Sequence, residues 1–319
     1  MKIGCVYSRR PEKWPKWQWV ADALLQLGHE TISVHDAAHL MAADQDCDIM
    51  LFEHRDCGVG WRYVRDNAPR RTSVWVQWWF DLVAVIPGRA LADQPEFRLS
   101  GEAMRLFDHV FVKERAMLDE YRSLGVNASY LDQGCPSWWP ACEHRQAPRW
   151  DVLVFGSATA QYAERKEAVR RLVSDGYSVA WATDSGSVPP VVERLPWQPP
   201  RKLPELMSDA RCVLCVDVRS DVDGYVSDRN WLVTGAGAIP LMRGCGGYGG
   251  YRDAAEMICT MQHERRSTIG RSLRARTMGA NTYEHRLQKL LSVVCGSGGS
   301  ADGEAPLPCV QGDQASDGG

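Results

Sequence analysis

Short apolar runs alternate with helix-like segments along almost the whole chain, and this alternation restricts the possible folds more than any other feature. In the first half, residues 48–52 and 74–79 have the length and composition of buried strands. In the second half, a strand-like run at 151–155 is followed by a helix-like segment at 162–173. Strands separated by helices predict parallel sheets with helices on both faces, so we expect an α/β fold.

Residues 140–150 interrupt this alternation. Their sequence, PACEHRQAPRW, holds two prolines and has no periodicity, so it is predicted to link two domains. A length of 319 residues also suits about two domains. We therefore expect an N-terminal Rossmann-like domain at 1–145 and a C-terminal one at 146–295. Ligands of such sheets bind beyond the carboxyl ends of the strands, which for two domains predicts a site in the cleft between them.

The end of the chain divides into a helix and a tail. Residues 281–294 carry an apolar stripe, and Asn281 with Glu284 is expected to cap this helix. From 296 to 319 the residues Gly, Ser, Asp and Pro dominate, so we predict a disordered tail that takes no part in the fold.

Charge and composition argue against several classes of protein. The chain has 37 Lys and Arg residues against 40 Asp and Glu residues, so the whole molecule has no attraction for nucleic acid, although a local basic face stays open. No apolar run reaches the roughly 18 residues of a membrane span, and the N-terminus lacks a signal peptide, so we expect a cytoplasmic protein. Cys212 and Cys215 lie three apart on a predicted strand and point to opposite faces, so no metal site is expected.

The segment SDRNWLVTGAGAIPL, residues 227–241, is the strongest candidate for a binding site. It predicts a loop, a helix, a glycine-rich turn and a strand. Ser227 and Arg229 would stand at the helix N-terminus, where free amide groups and a partial positive charge favour a phosphate. Gly235 and Gly237 would let another backbone approach closely at the turn. Equally supported is a purely structural interpretation, with Ser227 as the helix cap and the glycines as a tight turn.

A second candidate segment is VLVFGSATAQYAERKEAV, where a predicted strand ends at Gly156 and Ser157. A helix follows a few residues later, with Tyr162 and Arg165 in its first turns. A strand-to-loop junction of this kind can hold a pyrophosphate. An ordinary connection between a strand and a helix is the somewhat favoured alternative from these residues alone.

Aromatic and basic residues are concentrated in the first half, where ten of the 13 tryptophans precede residue 151. Trp side chains at strand ends can stack on sugars or bases, although core packing is the commoner role for any one of them. A basic run near the N-terminus is suited to phosphates. The candidate acceptor-binding residues are Arg9, Arg10, Lys13, Trp14, Trp78 and Trp79.

Asp81 is the main candidate for acid–base chemistry. It follows the predicted strand at 74–79, on the side of the sheet where ligands bind. A carboxylate beside apolar rings is suited to take up a proton as a general base. The alternative is a structural role, as a helix cap or as the partner of Arg71.

Taken together, four segments of residues 151–294 resemble a known family. They are VLVFGSATAQYAERKEAVRRL, KLPELMSDARCVLCV, SDRNWLVTGAGAIPL and HERRSTIGRSLRARTMGANTYEHRLQKLL. In this order they resemble the donor domain of group 1-type GT-B glycosyltransferases, especially the CgeB-like (spore maturation) branch and related bacteriophage enzymes. In the first half, WVQWWFDL resembles the aromatic–Asp segment of the phage members.

The resemblance implies the GT-B fold, in which two Rossmann-like domains face each other across a cleft. It implies an enzyme, a hexosyl- or pentosyltransferase, that moves sugar from a nucleotide-sugar donor, expected to be a UDP-sugar, to an acceptor hydroxyl. Such enzymes usually need no bound metal, because a helix dipole and basic side chains neutralise the leaving diphosphate, and no cofactor is expected. Asp81 is then the base if the reaction inverts the sugar, and is structural if the reaction retains it. The implied diphosphate and donor-binding residues are Arg229, Arg165, Ser227, Asp228, Gly156, Ser157, Tyr162, Gly235 and Gly237.

The acceptor and the nucleotide contacts stay open at this stage. The phage members of the family imply DNA carrying a hydroxymethylated pyrimidine as the acceptor, in the cytoplasm of a host cell, and a saccharide or protein acceptor is the alternative. Many members also carry a Glu that binds the donor ribose where this chain has Leu232. The nucleotide is therefore recognised differently, or the protein is a catalytically silent nucleotide-binding module. The sequence does not determine the oligomeric state.

Overall fold

The computed structural model describes residues 1–7, 15–53, 61–80, 101–159, 162–216, 226–242 and 251–296. These residues form two compact units, and each unit is built on one parallel sheet. In the described part of the chain, no helix combines the length and the apolar character that crossing a bilayer requires.

The first unit is a six-stranded sheet with helices packed on it. Strands β1 to β6 are Lys2–Val6, Glu30–Val34, Ile49–Glu53, Val74–Trp78, His109–Val112 and Ala128–Tyr130. Helices α1 to α4 are Lys16–Gln26, Ala37–Asp46, Trp61–Asn67 and Leu118–Ser123. The strand order is β2-β1-β3-β4-β5-β6 and every neighbouring pair is parallel, as the alternation predicts. All six carboxyl ends therefore meet at one edge.

Aromatic side chains fill much of the core of this unit. Phe52 lies between Trp75 and Phe107, with ring centroids 4.9 and 5.0 Å away. All three rings are buried. Because a central parallel strand is covered on both faces, it is mostly apolar, and this explains the four buried apolar residues 49–52 that precede Glu53 in β3.

The second unit repeats this design with five strands. Strands β7 to β11 are Trp150–Phe155, Val179–Ala182, Glu193–Leu195, Ala210–Leu214 and Pro240–Leu241. Helices α5 to α9 are Ala163–Ser174, Leu203–Ser208, Asp228–Ala236, Tyr251–Thr260 and His263–Ala280. The strand order is β11-β10-β7-β8-β9, again parallel throughout. The carboxyl end of the central strand β7 therefore lies in the middle of the carboxyl edge of this sheet.

The boundary between the units lies between Ser137 and Trp138, and not at 145/146 as the sequence predicts. The predicted linker is bonded to the second unit. The Cys142 amide donates to the Ala236 carbonyl at 2.8 Å, and the Trp139 carbonyl accepts from Arg274 at 3.0 Å. A polar segment without periodicity is thus held in place by α7 and α9, because its backbone groups find partners there.

The last helix, α10 (Tyr283–Val294), belongs to the first unit, although the sequence places it in the second domain. The Cys135 amide donates to the Asn281 carbonyl, and the Tyr283 amide donates to the Cys135 carbonyl, each at 3.0 Å. The buried Tyr283 ring lies 6.2 Å from the ring of Trp19 on α1. The apolar stripe of α10 is therefore part of the first core.

Candidate functional site

The central strand of the second sheet ends at a glycine that no other residue replaces easily. β7 ends at Phe155, and Gly156 follows with φ of +102°, in the region that favours glycine. The Gly156 amide donates to the Ala182 carbonyl at 3.1 Å, and the Trp181 indole donates to the Gly156 carbonyl at 3.0 Å. The turn is thus fixed on both sides, and its geometry is set before any ligand binds.

Helix α7 begins beside this turn. Ser227 is its N-cap, with the hydroxyl accepting from the Arg229 amide at 3.4 Å. The structural interpretation of Ser227 is therefore confirmed, and it is compatible with binding, because a capped N-terminus keeps free amides and a positive dipole end. Asp228 is the first residue of the helix and accepts from the Ser227 hydroxyl at 3.2 Å.

Two arginines from different helices meet at Gly156. Arg229 on α7 donates Nε to the Phe155 carbonyl at 3.1 Å and Nη1 to the Ser227 hydroxyl at 3.0 Å. Arg165 on α5 donates Nη1 to the Ser157 carbonyl at 2.8 Å. A Cβ built on Gly156 would lie 3.1 Å from Arg229 Nη2 and 3.7 Å from Arg165 Nη1. Because glycine has no Cβ, the space next to both guanidinium groups stays open.

The electrostatics of this pair favour an anion. Arg165 is only 1% exposed, and burial, followed by the charge of Arg229, lowers its pKa to about 9. Its Nε is buried and has no hydrogen-bond partner among the residues that the structure describes. Among the described residues no carboxylate forms an ion pair with either arginine. Two adjacent positive groups, neither of them in an ion pair with a described carboxylate, favour the binding of a dianion.

Tyr162 lies against the buried arginine. Its ring is 4.2 Å from the Arg165 guanidinium carbon, a cation–π contact that holds the side chain towards the turn. Of the donor-binding residues that the sequence predicts, Gly156, Ser157, Tyr162, Arg165, Ser227, Asp228 and Arg229 therefore lie together.

The two predicted glycines of the turn after α7 lie elsewhere. Gly235 and Gly237 follow Ser227 by two helical turns or more, about 12 Å along the axis. Gly237 ends the helix with φ of +81°, and a Cβ there would lie 3.1 Å from the Gly270 carbonyl oxygen on α9. The Gly235 carbonyl accepts from Arg274. Both glycines therefore serve the packing of α7 against α9 and do not contribute to the arginine pair.

Two hydroxyls that the sequence analysis did not identify, those of Thr159 and Ser185, lie beside the predicted Ser157. Ser157 Oγ lies 3.1 Å from Thr159 Oγ1 and 3.2 Å from Ser185 Oγ. Ser185 follows β8, so its position just after a strand was the available signal. These hydroxyls offer donors and acceptors next to the arginines.

Two of the predicted acceptor residues are buried in the core of the first unit. Trp78 is fully buried and donates its indole to the Leu131 carbonyl at 3.3 Å, and Trp79 is 2% exposed. Both rings are core residues of the first unit, so the expectation that they stack on an acceptor is corrected. Both rings lie at the end of β4, where elements distant in the sequence cover them, and the local sequence does not predict this burial. The predicted residues Arg9, Arg10, Lys13, Trp14 and Asp81 lie outside the described residues.

No protein-family model matches the chain, and no curated protein matches it in sequence. Solved structures do match it. T4 phage β-glucosyltransferase has a TM-score of 0.57 at 10% identity, covering 91% of this chain and 99% of the phage chain. A DNA-modifying β-glucosyltransferase, solved with and without uridine diphosphoglucose, has a TM-score of 0.62 at 9% identity, covering 92% and 99%. Anabaena HepE, in complex with UDP and glucose, has a TM-score of 0.62 at 11% identity, covering 92% and 99%.

This chain has the GT-B fold. The two parallel sheets, one in each unit, are the Rossmann-like halves of that fold, and at identities near 10% the similarity establishes the architecture. A further structure of the T4 phage enzyme contains UDP and Mn²⁺, with a TM-score of 0.57 at 9% identity. These solved GT-B structures are glycosyltransferases, and several of them were determined with UDP or a UDP-sugar.

Proposed function

We propose that this GT-B protein is a nucleotide-sugar-dependent glycosyltransferase whose second unit binds the diphosphate of a UDP-sugar. One observation carries the proposal: Arg165 and Arg229 border the same open space at Gly156, and no carboxylate among the described residues forms an ion pair with either. The site lies at the carboxyl edge of a parallel sheet and at the N-terminus of α7, both of which favour phosphate. The glycosyltransferases of similar fold that were solved with UDP support the same ligand class.

The chemistry follows from the two positive groups. In the transfer, the bond between the sugar C1 and the diphosphate oxygen breaks, and UDP leaves with the electron pair. The acceptor hydroxyl oxygen forms the new bond to C1 and gives up its proton. Arg165 and Arg229 stabilise the charge that develops on the leaving diphosphate, and their fixed positions require no rearrangement during the reaction.

The acceptor that we propose is a hydroxymethylated pyrimidine in DNA, with Asp81 as the base that takes the hydroxyl proton in an inverting reaction. The proposal is supported by the similarity to β-glucosyltransferases from T4 phage and of DNA-modifying type, which spans 99% of each of those chains. Asp81 is assigned from the sequence alone, as the residue that follows Phe80 after β4.

The test combines donor and acceptor assays. Calorimetry with UDP and UDP-glucose measures donor binding, and UDP release measures turnover. Duplexes with hydroxymethylcytosine, hydroxymethyluracil or unmodified bases are then offered with UDP-glucose, and the DNA is weighed by mass spectrometry. A mass increase on a modified duplex alone supports the full proposal. UDP-glucose hydrolysis without DNA transfer would leave a saccharide or protein acceptor, and nucleotide binding without any turnover would identify a silent module. Asp81→Asn should abolish transfer and leave UDP affinity unchanged.

A further inference from the structure

The carboxyl edge of the first sheet holds a fully buried glutamine. Gln133 follows β6 by three residues and is 0% exposed. Its Nε2 donates to the Phe80 carbonyl at 2.6 Å, and Phe80 follows β4 by two residues. The side chain therefore connects the exits of two strands at the edge where ligands of parallel sheets bind.

The backbone of Gln133 is fixed from both sides. Its amide donates to Asp132 Oδ1 at 2.8 Å, and its carbonyl accepts from Arg286 Nε at 3.1 Å. Asp132 Oδ1 lies 3.6 Å from Lys113 Nζ, and both of these charged side chains are 1% exposed. The glutamine amide is thus set on a rigid, buried polar network and has little freedom to turn.

The other half of the amide has no partner. Gln133 Oε1 is buried and accepts no hydrogen bond from any described residue. The amide cannot be reversed to remove this defect, because the Phe80 carbonyl accepts only and requires the NH₂ group. Leaving a buried carbonyl oxygen unsatisfied is unfavourable, and such groups are rare in native proteins. A hydrogen-bond donor from outside the chain would satisfy it.

We infer that Gln133 Oε1 accepts a hydrogen bond from an N–H group on the acceptor base, and so selects the base. This inference rests on the proposed function and deepens its acceptor site. Cytosine presents an exocyclic amine, a donor, where uracil presents the O4 carbonyl, an acceptor. An oxygen held at this position stabilises hydroxymethylcytosine and repels hydroxymethyluracil. The reacting hydroxymethyl group is separate from this N–H group, so its proton stays available to the proposed general base, Asp81.

The test compares duplexes that carry hydroxymethylcytosine or hydroxymethyluracil, with UDP-glucose as the donor. The wild-type protein should prefer hydroxymethylcytosine by about 5- to 150-fold in kcat/KM, the range for one unsatisfied hydrogen-bonding group. Gln133→Met keeps the length of the side chain and removes the amide, so the preference should fall towards 1. UDP affinity should stay unchanged, because the proposed diphosphate site lies on the second unit.

A matched control is Asn127→Leu. Asn127 also donates its side-chain amide to a backbone carbonyl, that of Asp108, at 2.7 Å, but it precedes β6 and so lies at the opposite edge of the sheet. This variant should keep the base preference of the wild type, which separates base selection from loss of an amide bond in general.

The outcomes separate the two proposals. Equal transfer to both modified duplexes by the wild-type protein would overturn the role of Gln133 and leave the glycosyltransferase function intact, and this result needs no variant to fold. A folded Gln133→Met variant that keeps the full preference would overturn it as well. Donor hydrolysis without transfer to either duplex would remove the DNA acceptor, and the base selection with it.

Discussion

Arg165 and Arg229 reach the same turn from two different helices, and their guanidinium nitrogens lie 3.7 and 3.1 Å from the position that a Cβ of residue 156 would occupy. Arg165 is buried and stacked on Tyr162, whereas Arg229 is tied to the N-cap of α7. Both donate to carbonyl oxygens at the exit of β7, and within the described ranges no carboxylate pairs with either of them. Their positive charges are therefore held in fixed positions at one turn, which is an arrangement that suits an anionic ligand.

Arg229→Ala should weaken UDP binding by about 10- to 150-fold, since a charge-assisted hydrogen bond contributes roughly 1.5–3 kcal/mol. Calorimetry with UDP measures the change. Arg170→Ala is the matched control, because Arg170 is an exposed arginine of α5 that pairs with Glu167. Wild-type affinity in a folded Arg229→Ala protein would contradict the diphosphate site.

UDP affinity should fall as the pH rises through about 9. The pKa of Arg165 is lowered from 12.5 to about 9, so its positive charge is present below that pH and is lost above it. The phosphates of UDP are already ionised in this range. The uracil N3–H of UDP ionises at a similar pH, so the Arg165→Met variant is needed to assign the change. Calorimetry at pH 7.5 and pH 10 measures how far the UDP affinity falls. Arg165→Met should bind weakly at both values, and an equally steep slope in that variant would assign the titration to another group.

Gly156→Ala should reduce both stability and donor binding. The φ of +102° is unfavourable for alanine, and the new Cβ would crowd Arg229. We expect a loss of about 1–3 kcal/mol in the free energy of unfolding and a clear drop in UDP affinity. Gly176→Ala separates the two effects, because Gly176 has φ of +92° with nothing within 4 Å of the added Cβ. That control should lose stability alone, and equal UDP affinities for both variants would refute the crowding argument.

Turnover should survive EDTA. Two arginines and a helix N-terminus supply the positive charge that a metal ion provides in other enzymes. The comparison with the T4 phage enzyme, which was solved with UDP and Mn²⁺, makes the experiment informative. UDP-glucose turnover is measured after EDTA treatment and again with added Mn²⁺. Activity that disappears with EDTA and returns with Mn²⁺ would show that the arginines do not suffice.

Removal of residues 296–319 should leave the melting temperature and turnover almost unchanged, because a segment of this composition is predicted to contribute no packing. Removal from residue 281 onward should destabilise the protein by at least about 4 kcal/mol, since it exposes the surface that Tyr283, Leu287 and Leu290 cover. Thermal melts of both truncations test the pair. A large loss from the shorter truncation would contradict the predicted disorder of the tail.

Local patterns in the sequence predicted the strands and most of the residues that meet at the turn of Gly156. The apolar run that forms β7 leads directly to Gly156, and the Ser-x-Arg spacing at 227–229 places a hydroxyl and a guanidinium at a helix N-terminus. These features depend on residues close together in the chain, so a single sequence shows them. The end of the chain shows the limit: the cap of α10 is Thr282 with His285, one residue beyond the predicted pair of Asn281 and Glu284.

Other features were decided by the tertiary structure alone. The sequence identified Arg165 and Arg229 separately, but their meeting at Gly156 depends on how α5 and α7 pack on the sheet. Trp78 and Trp79 stand at a strand end, as predicted, yet neighbouring elements bury them. Gln133 carried no signal, because its fixed amide arises from a bond to Phe80, distant in the chain. Periodicity and capping specify which element a residue joins, whereas its burial and partners depend on elements far away in sequence, and only the packed fold brings these together.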